Sequence, residues 1–461
     1  MTMAKIVSRI LAHPQPDPVE TGEAEASSHV LPLDYRRWRR RAVARRTSLL
    51  NVLRVFTPAT GPLRTRSLVE NVGRYLASKD MRLLALRRAM SRDSGENPEW
   101  EDAFYARWLE YRDGARSMDE LNPFKPLREP CLVYDERKRS GGKRRLWKFG
   151  TCMTARQLLV SEALKAIYAR RVWSQMIFSG GLPVGVADIK EALRNPDLTH
   201  YAIVDVAAFF DNVDLQGATQ LLPLDRKVLE NTLCVSPPSD ARVGMNRYAR
   251  VCVSEVLDVN GRLALPQGAA SSPQIAYGLL DQALPVRCLE HSFPYADDLL
   301  FLGKSEVDVA AKVSLYEENL VGHPAGPLHL RRVSDGQIME NGSFEFVGLM
   351  FDVQDSDRDG LRTVRVEVPM RKRLEFRDRL QESVARDVAK EDSLFSRTRE
   401  YLAGFLSGVP TDDHEDLVKT ACEIAQANGL QASPLISAAA RFLTDSEIGR
   451  LSARFVVRQP S

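Results

Sequence analysis

Two adjacent carboxylates, Asp297 and Asp298, lie where apolar runs meet in Phe293-Pro294-Tyr295-Ala296-Asp297-Asp298-Leu299-Leu300-Phe301-Leu302-Gly303. The β-prone residues on both sides predict a hairpin with the acids at its bend. Neighbouring carboxylates repel unless a cation neutralises them, and paired hard oxygens at a strand tip suit Mg²⁺ that also holds phosphates. A solvated turn is the plain alternative, because Asp is a common turn residue. A second cluster shifts the balance. The apolar run Tyr201-Ala202-Ile203-Val204 ends on Asp205, and Phe209-Phe210-Asp211 follows closely. Two-metal phosphoryl transfer takes carboxylates from two separate strands, which Asp205 with Asp297 and Asp298 could supply. Between the clusters, Leu265-Pro266-Gln267-Gly268 and Ser272-Pro273 read as a glycine-bearing loop opening a helix. Backbone and a Gln amide can approach a nucleotide closely at such a place.

In this order the three blocks resemble the reverse transcriptase family. Its motif A looks like Asp205-x-x-x-Phe209-Phe210-Asp211, its motif B like Leu265 to Gly268 with Ser272-Pro273, and its motif C like Tyr295 to Asp298. Lys138 and Gly142-Lys143-Arg144-Arg145-Leu146 look like the fingers strands that contact the incoming triphosphate. Phe178 to Gly185, then Ala187 to Leu193, is similar to the segment before motif A in group II intron and retron enzymes. Phe344-Glu345-Phe346-Val347-Gly348-Leu349 resembles the strand that helps hold the primer. The likeness spans about residues 126–355.

The resemblance implies roles. Asp205 and Asp297 would bind metal, Asp298 completing the pocket and the Val206 carbonyl adding a ligand. The cofactor would be two Mg²⁺ ions, with Mn²⁺ a substitute. Phe210 would exclude a ribose 2′-hydroxyl; Gln267 and Gly268 would border the nucleotide. Lys138, Arg144 and Arg145 would meet the triphosphate, and Tyr295, Phe346 and Gly348 the primer end. The family commonly places a Lys after motif C; His329, Arg331 and Arg332 stand there instead, which leaves the proton donor for pyrophosphate open.

Among relatives, the layout is most similar to stand-alone, defence-associated bacterial reverse transcriptases of the abortive-infection and unknown groups. That implies an RNA-directed DNA polymerase copying a bound, structured non-coding RNA in antiphage defence. Its partners would be the RNA template, the DNA product and dNTPs, with room for a homo-oligomer. A maturase-like RNA-binding protein and a non-templated or protein-primed DNA polymerase are the alternatives.

To position these blocks the fold class expected is α+β. The resemblance makes it a right-hand polymerase of fingers, palm and thumb, with helical N- and C-terminal extensions. The boundaries expected are a flexible segment over 1–30, a basic helical extension over 31–125, and fingers and palm over 126–355. A thumb-like helical region over 356–410 and a C-terminal helical extension over 411–461 follow. Trp100, Phe104, Trp108 and Tyr111 recur at helical spacing and predict a packed face. Residues 215–262 predict a helix and a small hairpin at Asn260-Gly261, Asp352 to Asp359 an acidic turn, and Met370 to Val388 a charged helix.

Composition narrows the class. The 461 residues are 44% hydrophobic, an ordinary globular share. Six cysteines are scattered without a Cys-x-x-Cys pair, which predicts reduced thiols in a cytoplasmic protein rather than a zinc site. No apolar run approaches a membrane span, so no membrane partner is expected. Net charge is only +3, but residues 30–175 hold 32 Lys and Arg against 16 Asp and Glu. Within them Tyr35-Arg36-Arg37-Trp38-Arg39-Arg40-Arg41 is a dense basic run. Its guanidinium groups suit RNA phosphates and its aromatics could stack on bases; a solvated helix face is the alternative.

Overall fold

Apolar side chains three and four positions apart start the described chain, and it answers with helices. The computed structural model describes residues 31–58, 61–92, 99–137, 143–169, 181–233, 249–252, 265–284, 290–355, 362–389 and 395–455. The chain divides into two compact units, and their stretches alternate along the sequence. The first comprises 1–178, 206–290 and 314–331; the second comprises 179–205, 291–313 and 332–461.

Helices α1 (Leu33–Phe56), α2 (Arg66–Ala77), α3 (Lys79–Arg92) and α4 (Trp100–Arg112) open the first unit. Strands β1 (Pro130–Arg137) and β2 (Lys143–Lys148) and helix α5 (Thr151–Tyr168) follow. Helix α6 (Gly181–Leu193) and strand β3 (His200–Val206) come next, β3 ending at the boundary between units. The first unit resumes with α7 (Phe209–Asn212), α8 (Leu215–Leu221), α9 (Arg226–Leu233), β4 (Ala249–Cys252) and α10 (Ser272–Ala283). Beyond it lie β5 (Ser292–Tyr295), β6 (Asp298–Gly303), α11 (Glu306–Val321), β7 (Leu330–Gln337) and α12 (Ile338–Asn341). The second unit continues with β8 (Ser343–Phe346), β9 (Leu349–Asp355) and β10 (Arg362–Glu367). It ends in α13 (Met370–Ala389), α14 (Ser396–Gly408), α15 (His414–Ala427), α16 (Ser433–Ala439) and α17 (Asp445–Phe455).

Three small sheets are ordered β2-β1-β4, β5-β6-β3-β7 and β10-β9-β8. The pairs β1–β2, β1–β4, β3–β6, β5–β6, β8–β9 and β9–β10 are antiparallel. The class is therefore α+β. Among the described residues no helix is long and apolar enough to cross a membrane.

In the first unit, Tyr35 and Trp38 are buried against Phe104 and Trp108, with ring centroids 5.5–6.3 Å apart. Phe104, Trp108 and Tyr111 form the packed face their spacing predicts. The expectation that the aromatics of the basic run stack on bases is corrected here. Tyr35, Trp38 and Ala42 are three and four apart, so one side of α1 turns all three inward. Glu162 of α5 is partly buried among Arg46, Arg88 and the Tyr75 hydroxyl. The two guanidinium groups hold its carboxyl below its usual range, although burial pulls the other way most strongly.

In the second unit, the buried Arg362 at the start of β10 donates to the carbonyls of Leu198, Pro196 and Asn195 just before β3. Fully buried Asp413 accepts from the Val368 amide (2.8 Å), Arg365 (3.2 Å) and Arg373 (2.5 Å), joining β10 and α13 to the start of α15. The charged helix expected from Met370 is α13. The acidic turn expected from Asp352 is instead strand through Asp355, because Phe351 and Val353 alternate inward while Gln354 and Asp355 face water. Residues 356–359 of that turn and the Asn260-Gly261 hairpin lie outside the described residues.

Candidate active site

The carboxylates are positioned by three strands of the second unit. β5 and β6 form the expected hairpin, Tyr295 pairing with Asp298 around the two-residue turn Ala296-Asp297. Ala296 takes a φ of 59°, and Asp297 is not among the positive-φ residues. Positive φ at the first loop position alone is the type II′ pattern, which suits the twist of a hairpin but strains any residue other than glycine. On the other side of β6, β3 runs antiparallel, and Asp205 pairs with Asp298. Directly opposed residues share one face of a sheet, so the two carboxylates stand side by side while Asp297 flanks them in the turn.

Like charges directly opposite destabilise a sheet by about 0.2–1 kcal/mol. The ladder behind them outweighs that. Tyr201, Ala202, Ile203 and Val204 on β3, and Leu299, Leu300, Phe301 and Leu302 on β6, are all buried. Each large apolar side chain contributes about 1.5–3 kcal/mol. The strands can therefore carry repelling acids at their ends, where Asp205, Asp297 and Asp298 are half-buried.

The donor chemistry fits a hard divalent cation, since all three groups are carboxylates. Among the described residues, no group of three or more His, Cys, Asp or Glu is gathered tightly enough to hold an ion. What the fold supplies is a cross-strand pair with a third acid beside it. Tyr295 is half-buried, and its hydroxyl pKa is raised, first by burial and then by the Asp298 charge. Tyr201 stacks on Phe344 of β8 with centroids 4.6 Å apart, so the carboxylate strand and the β8–β9 hairpin share a core. In that hairpin Phe346 is buried, while Val347 (φ 48°) and Gly348 (φ 70°) form the turn. The Phe346 ring thus packs inward. The turn backbone faces Lys372, whose Nζ would lie 2.2 Å from a Cβ at position 348.

The first unit gathers a second group of site candidates. After Val206, which is buried, Phe209 and Phe210 begin the one-turn helix α7. Phe210 is half-buried and meets Phe209 edge-on, centroids 5.8 Å apart. The Phe210 carbonyl accepts from the Leu265 amide (3.0 Å), and the Gln267 carbonyl accepts from the Trp147 amide of β2 (2.8 Å). Gly268 has a φ of +108°, and a Cβ there would meet the Trp147 carbonyl oxygen at 2.2 Å. Only glycine lets loop and strand approach this closely.

Sequence reasoning missed what holds this loop. Gln157 of α5 is buried, accepting from the Ala270 amide (3.1 Å) and donating to the Thr232 carbonyl (3.0 Å). An amide at helical spacing from the apolar Met153, Val160 and Leu164 is the signal that could have found it. Arg144 and Arg145 occupy β2, paired with Glu136 and Asp135, whereas Lys138 lies outside the described residues.

The N-terminal arginines lie on α1. Arg36, Arg37, Arg40 and Arg41 are exposed; Arg39 is half-buried and lines a small cavity with Arg46, Leu84, Arg87 and Arg88. His329, Arg331 and Arg332 are exposed, Arg332 reaching Asp335 at 3.3 Å. No family model matches the chain, and no characterised protein matches its sequence.

Proposed function

We propose that the protein is a template-directed DNA polymerase of the reverse transcriptase type, with a right-hand polymerase core. The observation that carries this reading is the opposition of Asp205 and Asp298 across β3 and β6, with Asp297 in the adjoining turn. Carboxylates from two strands on one face are what phosphoryl transfer between nucleotides uses. The order of the motifs, with a Pro-Gln-Gly loop between the acids, supports polymerisation over hydrolysis.

In this reading Asp205, Asp297 and Asp298 would hold two Mg²⁺ ions. When bound, such ions supply Lewis acidity toward the primer hydroxyl and the departing pyrophosphate. The protein's own groups position the reactants. Tyr295 stays protonated at neutral pH and lies against the primer end. Phe210 opposes the 2′ side of the incoming sugar, and Gln267 and Gly268 present polar atoms at close range. Arg144 and Arg145 serve the triphosphate.

The test is extension of a DNA primer annealed to RNA by the purified chain with dNTPs and Mg²⁺. Extension that fails with Asp205→Asn or Asp297→Asn supports the reading. No incorporation on any template, or incorporation untouched by both substitutions, overturns it.

A further inference from the structure

Helix α1 carries eight arginines and one aspartate in 24 residues. The protein finds partners for some of them. Arg45 pairs with Asp80, Arg46 with Glu162, and Arg54 bonds Asn51. Arg36, Arg37, Arg40 and Arg41 are treated differently. All four are exposed, and among the described residues their side chains make no ion pair or hydrogen bond. The pairs 36/40 and 37/41 are like charges one helical turn apart, an arrangement that weakens a helix rather than stabilising it. Their presence is therefore not explained by the fold.

Three further facts say what covers them. The opposite side of α1 is committed to the core through Tyr35, Trp38, Ala42, Leu50 and Leu53, so no apolar stripe is left to enter a bilayer. That same aromatic packing fixes the helix, so the guanidinium groups are displayed from a rigid frame rather than a loose tail. Arginines four apart are separated by about 6 Å along the axis, comparable to the step between successive phosphates of a polynucleotide strand. Planar guanidinium forks meet phosphate oxygens in pairs, and the one acid of α1, Asp34, is already paired with Arg112.

We propose that this face of α1 binds the phosphate backbone of a folded RNA, through Arg36, Arg37, Arg40 and Arg41 and without Arg39. The choice of RNA over DNA rests on the polymerase reading; the anion chemistry does not.

The experiment uses the full chain and a synthetic RNA stem-loop, without nucleotides, titrated across salt concentrations. A DNA stem-loop of the same sequence, polyglutamate and phosphatidylserine vesicles serve as competing probes. Changing the four arginines to Gln should weaken RNA binding at least tenfold. It should also shallow the slope of log affinity against log salt by roughly 0.7–0.9 for each phosphate that is no longer neutralised. The Arg→Lys quadruple variant should keep the slope, and the pairs R36Q/R40Q and R37Q/R41Q should each give part of the loss if the quadruple variant folds poorly. An unchanged slope in the Gln variants overturns the proposal. So does equal or tighter binding of polyglutamate, vesicles or DNA through the same arginines. A chain that binds RNA this way yet extends no primer would remove the polymerase reading and leave this one standing.

Discussion

Asp205 and Asp298 face one another across two neighbouring strands, next to four ladder pairs, Tyr201–Leu302 through Val204–Leu299, whose members are all buried. Two carboxylates opposed there repel one another, a cost that an amide in either place would remove. Strained left-handed backbone at Ala296, next to Asp297, points the same way, because such strain concentrates at functional positions.

Asp298→Asn together with Asp297→Asn should therefore separate activity from stability. DNA synthesis should fall by on the order of 10²–10³-fold or more, the scale of removing preorganised charge from a reacting centre. The melting temperature should hold or rise, with a gain of up to about 1 kcal/mol. Retained dNTP incorporation by the double variant would sink the assignment of these acids.

The hairpin and both acid positions were legible because strand patterning on either side of a turn is local information. So was α13, whose charged surface and apolar spacing repeat over 20 residues. Tyr35 and Trp38 misled because their arginine neighbours suggested nucleic acid. Their own spacing of three residues, continued by Ala42, places them on the buried stripe. The alternating run Leu349, Phe351, Val353 likewise held the strand that the acids around it obscured. Other features have no local signal. Gln157 holds a loop 113 residues away, and Asp413 gathers Arg365, Arg373 and the Val368 amide from 40 to 48 positions upstream. The alternation of chain stretches between two units belongs to the same class, because it depends on contacts that only the folded chain makes.

Gly268→Ala tests the loop. A methyl there would come 2.2 Å from the Trp147 carbonyl oxygen, which is backbone and cannot swing aside, and the φ of +108° is strained for any other residue. The substitution should cost about 1–3 kcal/mol and loosen the Trp147–Gln267 hydrogen bond. If the loop borders the nucleotide, KM for dNTP should rise more than kcat falls. Thermal melting and single-nucleotide incorporation on one preparation check both, and a fully stable variant would contradict the close approach.

Phe210 is half-buried, whereas its neighbour Phe209 is 2% exposed, so the two rings should respond differently to truncation. Phe209→Ala should cost about 3–5 kcal/mol, as a core ring does. Phe210→Ala should cost clearly less and lower the preference for dNTP over rNTP by roughly tenfold or more, the scale of a steric gate. Unchanged sugar preference with a core-sized stability loss would return Phe210 to packing.

His323 gives a prediction in pH. It is buried, its Nδ1 accepts from the Ala325 amide (3.1 Å), and the Ala325 carbonyl in turn accepts from the Asp214 amide at the start of α8. Burial pushes its pKa from 6.5 down to about 4, only partly opposed by the Leu279 backbone. The imidazole is thus neutral in the folded protein, while in the unfolded chain it binds a proton below pH 6.5. The unfolded state then holds more protons between those two values, so stability must rise with pH across that interval. The contribution is complete above pH 6.5 and is lost as pH falls toward 4, by on the order of 3 kcal/mol in total. His323→Asn keeps an oxygen that can accept the Ala325 amide and removes the titration. Denaturant unfolding of the two proteins between pH 4 and 7.5 should show a shallower acid decline in the variant, with the curves closest at neutral pH. Parallel curves across the whole range would mean that His323 is not held neutral in the fold.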